Sequence, residues 1–67
     1  MTLTINGTSR TFDATEFRID SLLAELGLAG KPVVIELNRN PVLPADYSKT
    51  TISDGSELEI VMIAAGG

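Results

Sequence analysis

Few side chains in this sequence can do acid–base or nucleophilic work. Among its 67 residues there is no histidine and no cysteine. That excludes disulfides, thiolate zinc sites, cysteine nucleophiles and histidine acid–base pairs together. The serines and threonines lack a histidine base, and Lys31 and Lys49 fall in segments that read as loops, with nothing to place either beside a serine. The acidic residues are scattered over turns and strand faces. Glu57 and Glu59 share one strand face and have the look of a carboxylate pair, but alternating charge of this kind is the mark of a solvated face. Gly27 and Gly30 follow a helix instead of joining a strand to one, so they form no phosphate cradle.

What remains is the end of the sequence, Ala64-Ala65-Gly66-Gly67. Two residues without Cβ atoms make a thin strip that can thread a narrow channel and deliver a carboxylate to another protein's active site. A carboxylate is a poor acyl electrophile. Adenylation by ATP turns it into a mixed anhydride that a sulfur or nitrogen nucleophile can attack. With no cysteine in the chain, sulfur cannot ride as a side-chain persulfide. Were this protein to carry sulfur, the Gly67 carboxylate would hold it as a thiocarboxylate.

The elements that must present this end follow from periodicity. The length allows one domain, and 43% hydrophobic residues suffice for one core. A chain this short buries too little for a deep catalytic cavity. Leu3 and Ile5 alternate with Thr2 and Thr4 as in a half-buried strand. Asn6-Gly7 is the strongest short hairpin signal, and the return strand is expected through Arg10, Thr11 and Phe12, with Phe12 toward the core. Ile19, Leu22, Leu23 and Leu26 form one helical stripe. Its start is ambiguous between Arg18, which places Phe17 to staple onto Leu22, and Asp20. Gly27 is expected to end it in a left-handed conformation with Leu28 folding back on Leu23. Val33 to Leu37 is a β-branched strand, Arg39-Asn40-Pro41 a turn, Pro44 to Tyr47 a tight turn or 3₁₀ piece, and Asp54-Gly55 another turn. In the last strand Leu58, Ile60 and Met62 alternate with Glu57, Glu59 and Val61.

This order predicts an α+β fold of the β-grasp, or ubiquitin-like, kind. Its mixed sheet of four to five strands has the first and last strands parallel at the centre and one main α-helix packed across it. The domain is expected over residues 1–63, with 64–67 as a flexible tail. No apolar run approaches a membrane span and no secretory signal is visible, so a cytoplasmic protein with no membrane partner is expected; Asn6-Gly7-Thr8 then carries no weight as a sequon. The net charge is −4, and Arg10, Arg18, Lys31, Arg39 and Lys49 have no aromatic interleaving. Both features argue against a nucleic-acid partner.

The chain resembles the small β-grasp sulfur carriers of thiamine biosynthesis. The resemblance runs through Met1 to Gly7, Leu22 to Leu28, Val34 to Asn38, Leu43 to Tyr47, Asp54 to Val61 and the final Gly66-Gly67. The pieces are specific through their order and spacing. Pro44 stands where the family often has an arginine, Leu43 where it has a proline, and Ser56 where a second acidic residue is usual.

The resemblance implies a protein co-substrate and not an enzyme. A ubiquitin-activating-like adenylyltransferase would use Mg-ATP on Gly67. A cysteine desulfurase or other donor would supply sulfur, and thiazole synthase would receive it. No tightly bound cofactor and no metal site are implied. Gly66, Ala65 and Ala64 would lie in the partner's channel, and a sheet face with Leu58 and Ile60 would dock. Three alternatives share part of this reading. One is the small subunit of molybdopterin synthase, or a carrier for another thio-metabolite. The second is a ubiquitin-like modifier joined to lysines, and the third a passive interaction module.

Overall fold

The computed structural model describes residues 1–63. The five strands of its main sheet lie in the order β2-β1-β7-β4-β5. These are β1 (Thr2–Ile5), β2 (Thr8–Thr11), β4 (Val33–Leu37), β5 (Asn40–Val42) and β7 (Glu57–Met62). A second, two-stranded sheet pairs β3 (Phe17–Arg18) with β6 (Thr51–Ile52). One α-helix, α1 (Ile19–Glu25), and a 3₁₀ turn, η1 (Pro44–Asp46), complete the fold.

β7 is central. It runs parallel to β1, with Thr4 opposite Glu57 and Ile5 opposite Leu58. It runs antiparallel to β4 from Leu37–Leu58 to Val33–Met62. Strand alternation sends Leu3, Ile5, Val33, Ile35, Leu58 and Ile60 to the face that α1 covers with Ile19, Leu22 and Leu23. β2 and β5 are edges. β2 is exposed throughout, and β5 accommodates Pro41, whose missing N–H costs nothing on an edge strand.

α1 starts at Arg18, which is extended and makes no side-chain cap. The first-turn N–H groups find other acceptors: Ile19 donates to the Thr50 carbonyl at 3.1 Å and Asp20 to that of Tyr47 at 3.3 Å. The segment after η1 therefore does the work of a capping residue. At the other end Gly27 has φ of 75°. Leu28 N–H donates to the Leu23 carbonyl at 2.7 Å and Gly27 N–H to that of Ala24 at 3.1 Å, the two bonds of a Schellman motif.

The sequence reading departs from the structure in three places. The second hairpin turns at Asn38-Arg39, both with positive φ (49° and 70°), so Asn40 and Pro41 belong to β5 and not to the turn. β2 stops at Thr11, one residue short of Phe12, while Phe12 packs against the core as expected, half-buried and edge-on to Phe17 with ring centroids 5.4 Å apart. The short strands β3, β5 and β6, of two or three residues each, lack the length over which alternation is visible.

Candidate functional site

β7 carries the chain toward the residues of chemical interest. Ala64, Ala65, Gly66 and Gly67, named above as channel and acyl-transfer residues, lie outside the described residues. The structure does define the strand that leads to them. Ile63 N–H donates to the Pro32 carbonyl at 2.9 Å, which extends the β4–β7 ladder one step past Met62.

Two asparagines brace this strand, one on each flank. On the β1 side, the Asn6 N–H donates to the Leu58 carbonyl at 2.9 Å. Its side chain then takes over: Ile60 N–H donates to Asn6 Oδ1 at 2.8 Å, and Asn6 Nδ2 donates to the Ile60 carbonyl at 3.0 Å. A carboxamide offers the same donor and acceptor as a peptide unit. These are the two bonds that a longer β1 would have made in a parallel ladder. On the β4 side, Asn38 N–H donates to the Glu57 carbonyl at 2.8 Å, and Glu57 N–H donates to Asn38 Oδ1 at 2.9 Å. Both asparagines hold positive φ as the first residue of a two-residue hairpin turn.

Leu58 and Ile60 do not form a docking face. They are 1% and 8% exposed and sit in the core beneath α1. The alternation that turns Glu57 and Glu59 outward turns these two inward. The apolar residues that do face solvent near the end of β7 are Val61, Ile63 and the cross-strand partner of Val61, Val34, each about half exposed. Met62 is also half exposed. The next outward pair along the sheet is Glu36 opposite Glu59, with both residues exposed. Like charges placed directly opposite oppose sheet stability. The outer face beside the exit of β7 is therefore an apolar patch bordered by carboxylates, a pattern suited to a partner with an apolar surface rimmed by Lys or Arg.

The signal for Val61 and Ile63 was in the sequence. In a strand whose even positions fill the core, the odd positions are outward, and an apolar residue there is a surface residue. Val34 follows from the same rule in β4. Ser56, noted as a departure from an acidic residue, is buried, and its Oγ accepts from Ser53 N–H at 3.2 Å. It closes the turn that starts β7. Among the described residues no cluster of three or more His, Cys, Asp or Glu is placed to hold a metal ion, and no helix is long and apolar enough to cross a membrane.

Comparison with known proteins agrees with this geometry. The ThiS family model matches residues 3–67. The crystal structure of a thiamine biosynthesis protein (ThiS) from Geobacter metallireducens superposes with a TM-score of 0.87 at 33% identity, covering all of both chains. The solution structure of a thiamine biosynthesis protein from the same organism gives 0.85 at 33% identity, covering all of this chain and 88% of that one. A thiazole synthase from Paramagnetospirillum magneticum is 39% identical over 67 residues, the whole of this chain. The chain spans only 20% of that relative's length. With the family match running from β1 through Gly67 and the β-grasp sheet shared with a ThiS protein over its full length, the chain belongs to the ThiS family.

Proposed function

We propose that this protein carries sulfur on the carboxyl group of Gly67 for thiazole formation in thiamine biosynthesis. A ubiquitin-activating-like adenylyltransferase binds the outer sheet face and draws residues 64–67 into its channel. The Gly67 carboxylate attacks the α-phosphorus of Mg-ATP, forming the acyl-adenylate and releasing pyrophosphate. A sulfur nucleophile at the oxidation level of sulfide adds to the activated carbonyl; it comes from a cysteine desulfurase's persulfide after reduction by thiols, which end as a disulfide, or from another donor. AMP leaves with the electron pair of the broken C–O bond, and Gly67 becomes a thiocarboxylate. On thiazole synthase the sulfur passes to the acceptor substrate, and an oxygen from that substrate or from water replaces it at the Gly67 carbonyl, restoring the carboxylate.

The observation that carries this reading is the family match that runs unbroken through Gly66-Gly67. The fold supports it, because a chain of this size offers its partners a braced strand and a docking face. The thiazole synthase relative supports the choice of acceptor: a segment like this whole chain occupies a fifth of a protein with that name.

The reading is tested by reconstituting thiazole formation from the carrier, an activating enzyme, a sulfur donor and thiazole synthase. The full chain supports product formation. A chain lacking Gly66 and Gly67 folds and supports none. Equal product from both chains overturns the proposal.

A further inference from the structure

We infer that Asn6 is a site of self-modification: Asn6-Gly7 deamidates, and the fold gates the reaction through Ile60. Asparagine is among the thermolabile side chains. Its reaction with the following peptide nitrogen is easiest when that nitrogen belongs to glycine, which has no Cβ to crowd the approach. The chain has three asparagines, Asn6, Asn38 and Asn40, followed by Gly7, Arg39 and Pro41. Proline has no N–H to give up, so Asn40 is closed to this route. Arg39 sets a side chain beside the nitrogen that would attack Asn38. Asn6 and Gly7 are both exposed, and Gly7 N–H donates to no backbone carbonyl among the described residues. Asp54-Gly55 could close the same ring, but there Gly55 N–H is held by the Thr2 carbonyl at 2.8 Å and Asp54 Oδ1 by Thr2 N–H at 2.7 Å.

The reaction balances without an oxidant or a cofactor. Gly7 N–H gives its proton to hydroxide, and the nitrogen bonds to Cγ of Asn6. The Cγ–Nδ2 bond breaks, Nδ2 takes up a proton and leaves as ammonia, and a five-membered succinimide remains. Water then opens the ring at either carbonyl. Opening at Cγ gives aspartate. Opening at the backbone carbonyl gives isoaspartate, which adds a methylene to the main chain.

The folded state resists the first step. Ile60 N–H donates to Asn6 Oδ1 at 2.8 Å, and Asn6 Nδ2 donates to the Ile60 carbonyl at 3.0 Å. Both bonds need a planar carboxamide with Nδ2 in place. Attack makes Cγ tetrahedral and expels Nδ2, so the pair of bonds does not outlast it. Ile60, 8% exposed, would be left with a donor and an acceptor short of partners. Ring closure therefore runs through conformers in which the carboxamide has already left Ile60, and the frequency of that local opening sets its rate. The product cannot close again as before. Aspartate presents a carboxylate to the Ile60 carbonyl, and isoaspartate also lengthens a turn built for two residues. Deamidation is thus a one-way release of the tie between the first hairpin and β7.

The experiment incubates the whole chain at mildly alkaline pH, folded and in guanidinium, and follows the three asparagines by peptide mass. An isoaspartyl methyltransferase scores isoaspartate. In the unfolded chain, Asn6 is expected to react about tenfold faster than Asn38 or Asn40, and about tenfold faster than Asn6 in the folded chain. A second arm uses a synthetic chain in which an ester oxygen replaces the peptide N–H of Ile60. This removes one of the two bonds and leaves Asn6-Gly7 untouched. Kept folded, that chain is expected to deamidate at Asn6 severalfold faster than the parent. In the deamidated product, the Ile60 amide is expected to exchange with solvent about tenfold faster than in the parent, with Ile35 in the adjacent strand changed less. Asn6 reacting as fast folded as unfolded, or an ester chain no faster than the parent, overturns the gate. Asn38 or Asn40 matching Asn6 in the unfolded chain overturns the choice of site. Unchanged exchange at Ile60 in the product overturns the release.

Discussion

The side chain of Asn6 and the backbone of Ile60, 54 residues apart in sequence, exchange two hydrogen bonds of 2.8 and 3.0 Å. The first hairpin turn is thereby tied to the last strand of the sheet, β7. Asn38 repeats the device from the second hairpin, where its Oδ1 accepts from Glu57 N–H. A dipeptide that reads locally as a turn signal is also a long-range staple. Asn38→Gly keeps the positive φ and loses one solvent-exposed bond, so urea unfolding should show a loss of about 0.5–1 kcal/mol. Asn6→Gly strips a donor and an acceptor that are partly buried, and should cost about 1–3 kcal/mol.

The core and the proposed docking face are separable along β7. Leu58→Ala and Ile60→Ala remove buried side chains beneath α1 and should each cost about 2–5 kcal/mol in urea unfolding. Val61→Ser and Val34→Ser alter side chains about half exposed on the outer face and should change stability by no more than about 1 kcal/mol. They should raise KM for the activating enzyme severalfold with kcat little altered. A rise in kcat/KM on losing these methyl groups would show that the partner grips another face.

Glu36 and Glu59 oppose each other across β4 and β7. Glu36→Gln relieves a like-charge pair and should raise stability by about 0.5 kcal/mol in thermal or urea unfolding. If a basic partner surface meets this face, the same change should slow association with the activating enzyme at low salt, and the difference should fade as salt is added. Faster association for the glutamine variant would contradict the electrostatic reading.

Two backbone positions with positive φ carry opposite expectations. Arg39 holds φ of 70° in the second hairpin turn, where a non-glycine residue is strained. Arg39→Gly should gain about 0.5–1 kcal/mol after allowing for the larger unfolded-state entropy of glycine. Gly27 holds φ of 75° at the end of α1, and a Cβ built there has nothing within 4 Å. Gly27→Ala should cost about 1 kcal/mol through the backbone alone. Urea midpoints of the two variants measure both effects.

Much of this architecture was legible because each long element has a clean period. Leu3 and Ile5 in β1, the Ile19–Leu22–Leu23 stripe in α1, and the alternation from Glu57 to Met62 each state which face is buried, and Gly27 states where the helix stops. β3 and β6, at two residues each, are too short to show a period; they pair just beside the start of α1, whose first N–H groups donate to the carbonyls of Thr50 and Tyr47. Arg39 concealed the second turn, since a two-residue turn of positive φ usually advertises itself with glycine. At Gly66-Gly67 the candidate site rests on the sequence, because these residues lie outside the described ones. Leu58 and Ile60, expected to dock, are buried in the core, on the inward phase that the alternation with Glu57 and Glu59 already gives them. The staple between Asn6 and Ile60 leaves no local pattern, because its partner is a backbone group at the other end of the chain.

The central claim is that sulfur is carried on the Gly67 carboxyl group. The direct measurement is the intact mass of the protein after incubation with Mg-ATP, sulfide and a ubiquitin-activating-like enzyme, followed by fragmentation to locate the change. The account predicts exchange of one oxygen for one sulfur, confined to Gly67, dependent on ATP, and absent from a chain that lacks Gly67. Sulfur located on any other residue, or no exchange with an activating enzyme that sulfurates another carrier of this family and binds this one, would contradict it.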